Sequence, residues 1–452
     1  MKKMTVKETV YVASMLFGMF FGAGNLIFPV KMGQMSGSNV WLAILGFLIT
    51  GVGLPLLGVA ALGISRSGGL YDLSCKVDRR YAMFFTCLLY LTIGPFFAIP
   101  RCATTSFTVG LEAMIPAAAG SRLWLFLFTV AFFGVALWFS LFPGRILTWV
   151  GKILTPAFLA FLAVLVIVAL VSPTVDVSSV VPEGDYVSHP FPTGFLEGYN
   201  TMDALAGLAF GIVVVQTIRG LGVSEPDAVA ASTVRAGVFS CLFMAAIYVA
   251  VTLVGTLSRG VFQTAENGGI ALAWIAEYHL GKPGLLILAG TVTLACLKTA
   301  IGLITSCSET FVALFPKGPG YRAWAVIFSG VSFLFANLGL DLIISWSIPV
   351  LMFLYPLAIT LILLALCGKR FENDRAVYLW VTALTLIGAV YDLLGALPSG
   401  VRSEGFDRFL VTVGRFLPLS SMGLGWICPA AIGLVIGLSW HFVKKRVRRT
   451  AL

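Results

Sequence analysis

The sequence predicts an all-α integral membrane protein of about twelve transmembrane helices, and three observations carry that prediction. Of 452 residues, 59% are apolar and only 11% charged, against roughly 25% charged in soluble domains. The apolar residues fall in runs of about 20 or more, the length that crosses a bilayer. The 30 Lys and Arg residues lie almost entirely between those runs and sort to one side of the chain.

Windows of roughly 20 residues place spans 1 to 12 at about 9–31, 39–64, 80–110, 122–142, 146–171, 196–219, 228–257, 284–313, 323–340, 345–367, 376–396 and 419–443. With both ends cytoplasmic, the inner side holds Lys2, Lys3, Lys7, Arg66, Lys76, Arg79, Arg80, Arg145, Lys152, Arg219, Arg235, Lys317, Arg322, Lys369, Arg370, Arg375 and the tail Lys444, Lys445, Arg446, Arg448 and Arg449. The outer side holds Lys31, Arg101, Arg122, Arg259, Lys282, Arg402, Arg408 and Arg415. That is twenty-one against eight, the bias expected of cytoplasmic loops, and only Lys298, inside a span, is left over. An odd number of spans would put the basic tail outside, so twelve is preferred to eleven or thirteen. The tail, 444–452, is suited to an anionic inner leaflet.

Span 1 carries the most informative stretch, Gly18-Met19-Phe20-Phe21-Gly22-Ala23-Gly24-Asn25-Leu26-Ile27-Phe28-Pro29. Lipid offers no partner for a free backbone N–H or C=O, so a membrane helix is normally unbroken. Here it is weakened at mid-depth, at roughly 1 kcal/mol per glycine and more for proline. The freed backbone must meet protein, water or a ligand, which is how many carriers build a site at the membrane midplane.

Spans 3 and 8 are long enough to tilt. Arg101 follows Pro100 near the outer end of span 3, where it forms part of an external gate or ends the membrane segment. Residues 172–195, rich in Pro, Ser, Asp and Glu, read as an irregular external link. Span 6 repeats the glycine pattern at Gly207 and Gly211 within Gly198–Gly211, as a second break or as close helix packing. Asp203 opens that span as a cap or a coupling group. Broken helices at positions one and six imply two five-span halves, 9–171 and 196–367, inserted with opposite topology. Spans 11 and 12 (376–443) are then peripheral to this single transporter domain.

The second external loop, 258–283, contains an amphipathic piece from Gly269 to His279 that reads as a helix lying over the bundle. Span 8 places Lys298 in Thr291–Gly302, where it faces a water-filled vestibule, snorkels, or pairs with Asp203 or Glu309. Pro349 and Pro356 in span 10 mark a hinge or a common kink.

Other functions find little support. There is too little polar surface for a nucleic-acid-binding face. The eight cysteines lack metal spacing and read as small hydrophobes. The three histidines fall in loops or at a span end. No nucleophile–base arrangement, P-loop or paired carboxylates appears, so no enzyme, cofactor or structural metal is expected.

Three runs carry a resemblance: Gly22–Pro29, then Gly94-Pro95-Phe96-Phe97-Ala98-Ile99-Pro100-Arg101, then Tyr199-Asn200-Thr201-Met202-Asp203-Ala204-Leu205. In this order they resemble the bacterial branched-chain amino acid:cation symporters, from about Thr5 to the last span. That family is similar in turn to the leucine-transporter fold, in which spans 1–5 and 6–10 are inverted repeats. The resemblance implies secondary import of leucine, isoleucine or valine across the bacterial cytoplasmic membrane with Na⁺ or H⁺. The alternatives are a channel or passive pore, or a carrier of another small neutral amino acid.

The site expected on this basis is specific. N–H groups at Gly22, Ala23 and Gly24 would receive the substrate carboxylate at the positive end of a half-helix. Carbonyls released near Ala209, Phe210 and Gly211 would accept from its ammonium, and Phe210 would line an apolar pocket. Asn25 would serve substrate or cation through its amide oxygen, or bond helix to helix. The ion-coupling set implied is Gly18, Phe21, Asn25, Lys298 and Thr299. Span 8 departs from the fold's pattern of neighbouring hydroxyls, because Lys298 precedes Thr299. An ammonium there would replace the charge of a sodium ion or act as a proton-linked switch.

Overall fold

The computed structural model describes residues 4–22, 24–112, 121–142 and 147–450. Ten of its helices are long and apolar enough to cross a membrane. Twelve spans are recovered once the helix breaks are followed. Span 1 is cut into Val6–Phe20 and Gly24–Ser36, and its second half runs almost directly into span 2 (Val40–Leu48 and Leu54–Ile64, joined by the wide turn Ile49–Gly53). Span 9, Tyr321–Ala336, is only 16 residues long.

Span 3 runs over Arg79–Leu111 and leaves helical geometry at Gly94 (φ −90°, ψ −121°), just before Pro95. Span 4 is Ser121–Ser140 and span 5 Leu147–Leu154 continued by Thr155–Val171. Span 7 is the 33-residue Pro226–Ser258. Span 8 shares one helix, Gly268–Leu314, with the outer helix, the two meeting at Gly281 (φ 60°). That outer piece is the expected amphipathic helix, and the Asn267 side chain caps it by accepting from Gly269 and Ile270 N–H. Span 10 is Leu340–Cys367, unbroken through Pro349 and Pro356, followed by spans 11 (Arg375–Gly395) and 12 (Ile427–Thr450).

Two expectations for span 6 need correction. Its first half begins at Pro190, inside the stretch read as an irregular link, as Pro190–Glu197 and the tight turn Gly198–Thr201. Proline suits the first helical turn, where its missing N–H costs nothing. The chain then breaks at Met202, left-handed at φ 64° and ψ 11°, and restarts as the continuous helix Asp203–Gly220. The break therefore precedes the glycines. A methyl on Gly207 would fall 2.7 Å from the Pro55 carbonyl oxygen, and one on Gly211 would fall 2.1 Å from Leu62 Cδ1. Those glycines let span 6 approach span 2, and the packing reading holds.

Close approach also locks the second half of span 1. Methyl groups on Gly33 and Gly255 would collide with the backbone at Thr252 and Val30, and one on Gly268 with Ile27. Glu183 ties the 172–189 link to this region, accepting from Arg259 (2.6 Å) and Thr264, while Lys31 donates to the Ala265 carbonyl.

Candidate functional site

The two breaks meet. Val6–Phe20 ends where Phe21 turns extended (φ −75°, ψ 93°), and the helix resumes at Gly24. Asn25 bridges the gap. Its amide oxygen accepts from Gly22 N–H at 2.8 Å, and its amide nitrogen donates to Asp203 Oδ2 at 2.6 Å and to the Tyr248 hydroxyl oxygen. Tyr248 in turn donates to Asp203 Oδ2 at 2.6 Å. Asn25 and Asp203 are each 2% exposed, and buried polar groups of this kind persist because each finds partners. Asn25 thus takes the helix-to-helix role: its oxygen is used inside span 1 and its nitrogen ties span 1 to spans 6 and 7. Asp203 pairs with these two residues, and Lys298 is not among its partners.

Beside this network lies a chamber lined by Gly22, Gly24, Asn25, Arg101, Asp203 and Thr299 among polar or backbone groups. Met19, Phe20, Ile93, Phe210 and Leu303 form its apolar wall. Its cavity volume is about 20 Å³, room for about one water molecule. Larger hollows lie elsewhere, but none of their linings includes the broken segments. Beside the span 6 break Tyr199 stacks on Tyr355 of span 10, with ring centroids 4.0 Å apart.

Each expected residue now has a place. Gly22 and Gly24 line the chamber, whereas Ala23 lies outside the described residues. A methyl on Gly22 would fall 2.9 Å from Thr299 Oγ1, and one on Gly24 would fall 3.0 Å from an Arg101 terminal nitrogen. Phe210 lines the wall against Phe20 (centroids 5.6 Å). Ala209 and Gly211 do not line it, and the helix that continues through them leaves no carbonyls released there. The Ala209 carbonyl accepts instead from Tyr90 OH at 3.0 Å and Ser306 Oγ at 2.8 Å, which ties spans 3 and 8 to span 6. Phe21 packs against Phe17, Phe158 and Tyr248. Gly18 packs against span 5, a methyl there falling 2.3 Å from Thr155 Oγ1 and 2.9 Å from Val150 Cγ1, with the Lys298 stem in ordinary contact beside it at 3.6 Å.

Arg101 corrects the reading of a span end. Span 3 continues for ten residues beyond it to Leu111, and Arg101 is 4% exposed, facing the chamber over the Phe28 ring at 5.3 Å. A guanidinium there presents a planar fork of donors suited to a carboxylate. Asp203 and Tyr248 also carry more than sequence reasoning gave them. The signal for Asp203 was its position one residue after a break; for Tyr248, in the middle of span 7, the sequence held none.

A family model described as "Branched-chain amino acid transport protein" matches residues 5–444. The chain is 52% identical over 446 residues to the branched-chain amino acid permease BrnQ of Lactobacillus delbrueckii subsp. lactis, covering 98% of this chain and 99% of that protein. It is 40% identical to the branched-chain amino acid permease BraB of Bacillus subtilis, over 96% of this chain and 95% of that one. It is also 40% identical to the branched-chain amino acid transport system 2 carrier protein of Pseudomonas aeruginosa, over 94% of each. Among solved structures it superposes on Mhp1, a nucleobase-cation-symport-1 family transporter, in a closed conformation with bromovinylhydantoin bound. The TM-score is 0.62 at 15% identity, over 96% of this chain and 92% of that one. The inward-facing conformation of Mhp1 gives a TM-score of 0.58. The structural likeness shows the leucine-transporter-like fold. The chain belongs to the branched-chain amino acid transport protein family.

Proposed function

We propose that this member of the family imports leucine, isoleucine and valine with a cation, Na⁺ or H⁺, by alternating access. One observation carries the reading: both half-helix ends of span 1, Arg101 and an apolar wall converge on a single chamber. A zwitterion needs three separate partners, and this chamber offers them. The substrate carboxylate sits at the positive N-terminal end of Gly24–Ser36, opposite Arg101. Its ammonium sits at the C-terminal end of Val6–Phe20, where the last turn leaves carbonyls without intrahelical partners. Its aliphatic side chain packs on Phe20, Ile93, Phe210 and Leu303. Gly22 and Gly24 allow the close backbone approach. Ala209 and Gly211 drop out of the proposed substrate set, and Arg101 enters it.

Alternating access then opens the chamber to each side in turn. The two five-span halves supply the moving parts. The termini and basic loops lie on the cytoplasmic side, by the charge bias.

Counterflow of labelled leucine in proteoliposomes tests the reading. Vesicles preloaded with unlabelled leucine, isoleucine or valine accumulate label transiently, whereas vesicles preloaded with alanine or lysine do not. Equal label entry with and without internal substrate would identify a passive pore and overturn the proposal.

A further inference from the structure

We propose that Lys298 carries the co-transported proton, so that an amine on span 8 takes the place of a bound metal cation. The assignment rests on the uptake reading above and names its coupling ion.

Lys298 is completely buried in the described structure, and among the described residues its Nζ has no hydrogen-bond partner. It lies over the Phe158 ring at 3.8 Å from the centroid and 5.6 Å from that of Phe17. A buried ammonium without acceptors or a counter-charge is costly, and ring faces offset only part of that cost. An intramembrane lysine that serves only stability would be expected to have a partner or to reach the membrane surface. Lys298 does neither.

The surrounding charges do not answer it. On span 1, Lys7 turns to the Tyr11 ring, and Glu8 is engaged in the helix cap with Thr5. On span 5, Lys152 also turns to Tyr11. On spans 6 and 7, Asp203 and Tyr248 are held by each other and by Asn25. On its own helix Cys296 lies two residues before it, and Glu309 is eleven residues on, about 16 Å along the axis. Arg101 on span 3 lies over Phe28, across the chamber.

The position suits a carrier of protons. The Lys298 stem passes the first half of span 1 at Gly18, on one side of the break. The neighbouring Thr299 lines the chamber beside Gly22, and its hydroxyl also lacks a partner among the described residues. Any movement of Val6–Phe20 against span 8 changes which water reaches the amine. In one orientation the amine takes a proton from water entering through the chamber, forming one N–H bond. In the other it returns that proton to water on the cytoplasmic side. Each transfer is balanced: an O–H bond of hydronium breaks as the N–H bond forms, and on release that N–H bond breaks as an O–H bond to water forms.

The test uses the full-length chain in proteoliposomes with a pH indicator trapped in the lumen and no sodium. In the wild type, a gradient of about one pH unit, alkaline inside, drives roughly tenfold leucine accumulation at one proton per substrate. Leucine addition then acidifies the lumen. In Lys298→Met and Lys298→Arg, leucine counterflow at equal pH persists, while gradient-driven accumulation and leucine-dependent acidification are lost. Lys298→Arg keeps the charge but does not release its proton, so its failure separates proton release from loss of a cation. Leucine-dependent acidification surviving in either variant overturns the proposal. Wild-type counterflow without any acidification overturns it as well, whether or not the variants fold, and leaves the carrier reading standing. Absence of counterflow in the wild type overturns both.

Discussion

The breaks in spans 1 and 6 sit side by side yet are built differently. Span 1 interrupts its helix around Gly22 and Gly24, glycines that bring backbone to the chamber, and an amide side chain bridges the gap. Span 6 breaks at one buried methionine in a left-handed conformation, which costs a non-glycine residue roughly 1–2 kcal/mol, and its glycines lie beyond the break. Glycine therefore marks close approach in both spans and a helix break in only one. What the breaks share is a polar residue just after them, Asn25 and Asp203, bonded to each other.

That shared bond is the first place to break the comparison. Asp203→Ala leaves the Tyr248 hydroxyl without its buried acceptor and the Asn25 amide nitrogen with Tyr248 alone of its two, at roughly 1–3 kcal/mol for each stranded N–H or O–H. Leucine uptake should fall about 100-fold or more, with a lower unfolding midpoint in thermal scans. An unchanged initial uptake rate would show that the network does not hold the two breaks together.

The glycines separate the spans next. Gly24→Ala crowds Arg101 and Phe28 at the chamber, so it should raise the KM for leucine about tenfold or more, roughly 1.4 kcal/mol of lost binding. Gly207→Ala pushes span 6 from span 2 at Pro55 and should cost roughly 1–3 kcal/mol of stability while leaving KM within about twofold. Paired uptake kinetics and denaturation curves read both, and the reverse pattern would refute the division.

The smallest effect lies outside the membrane. Asp374 caps span 11 through Ala376 N–H and bonds His441 Nδ1 at 2.8 Å. The His441 hydrogen bond, then that of Ala376, holds its carboxyl below the usual carboxylate range. A depressed folded-state value stabilises above the unfolded value and is lost as pH falls through the folded one. Asp374→Asn should therefore remove part of the acid-dependent loss of stability below about pH 4, without altering leucine KM. An identical acid-unfolding profile would count against this.

The sequence made the membrane class, the span count and the first break legible, because apolar length and basic bias are summed over many residues. Helix boundaries at span 6 were less so. Pro190 begins a helix as readily as it sits in a loop, and nothing local distinguishes Met202 from its neighbours as the residue that turns left-handed. Gly207 and Gly211 suggested a break because their contact with Pro55 and Leu62 is long-range. Arg101 seemed to be at a membrane edge because a charge is costly inside one. The chamber supplies the reason it is buried. Lys298 was visible as an anomaly, but its ring-lined, partnerless setting required spans 1 and 5 to be placed beside it.

The central claim is that an amino acid binds between the halves of span 1 with its carboxylate toward Arg101. Equilibrium binding of leucine and of isopentylamine, its analogue without the carboxylate, to purified wild type and Arg101→Gln tests it most directly. The account predicts that the wild type prefers leucine by about 100-fold or more, and that Arg101→Gln loses most of that preference, since a charge-assisted carboxylate contact contributes several kcal/mol. Preference for leucine undiminished in Arg101→Gln would contradict it.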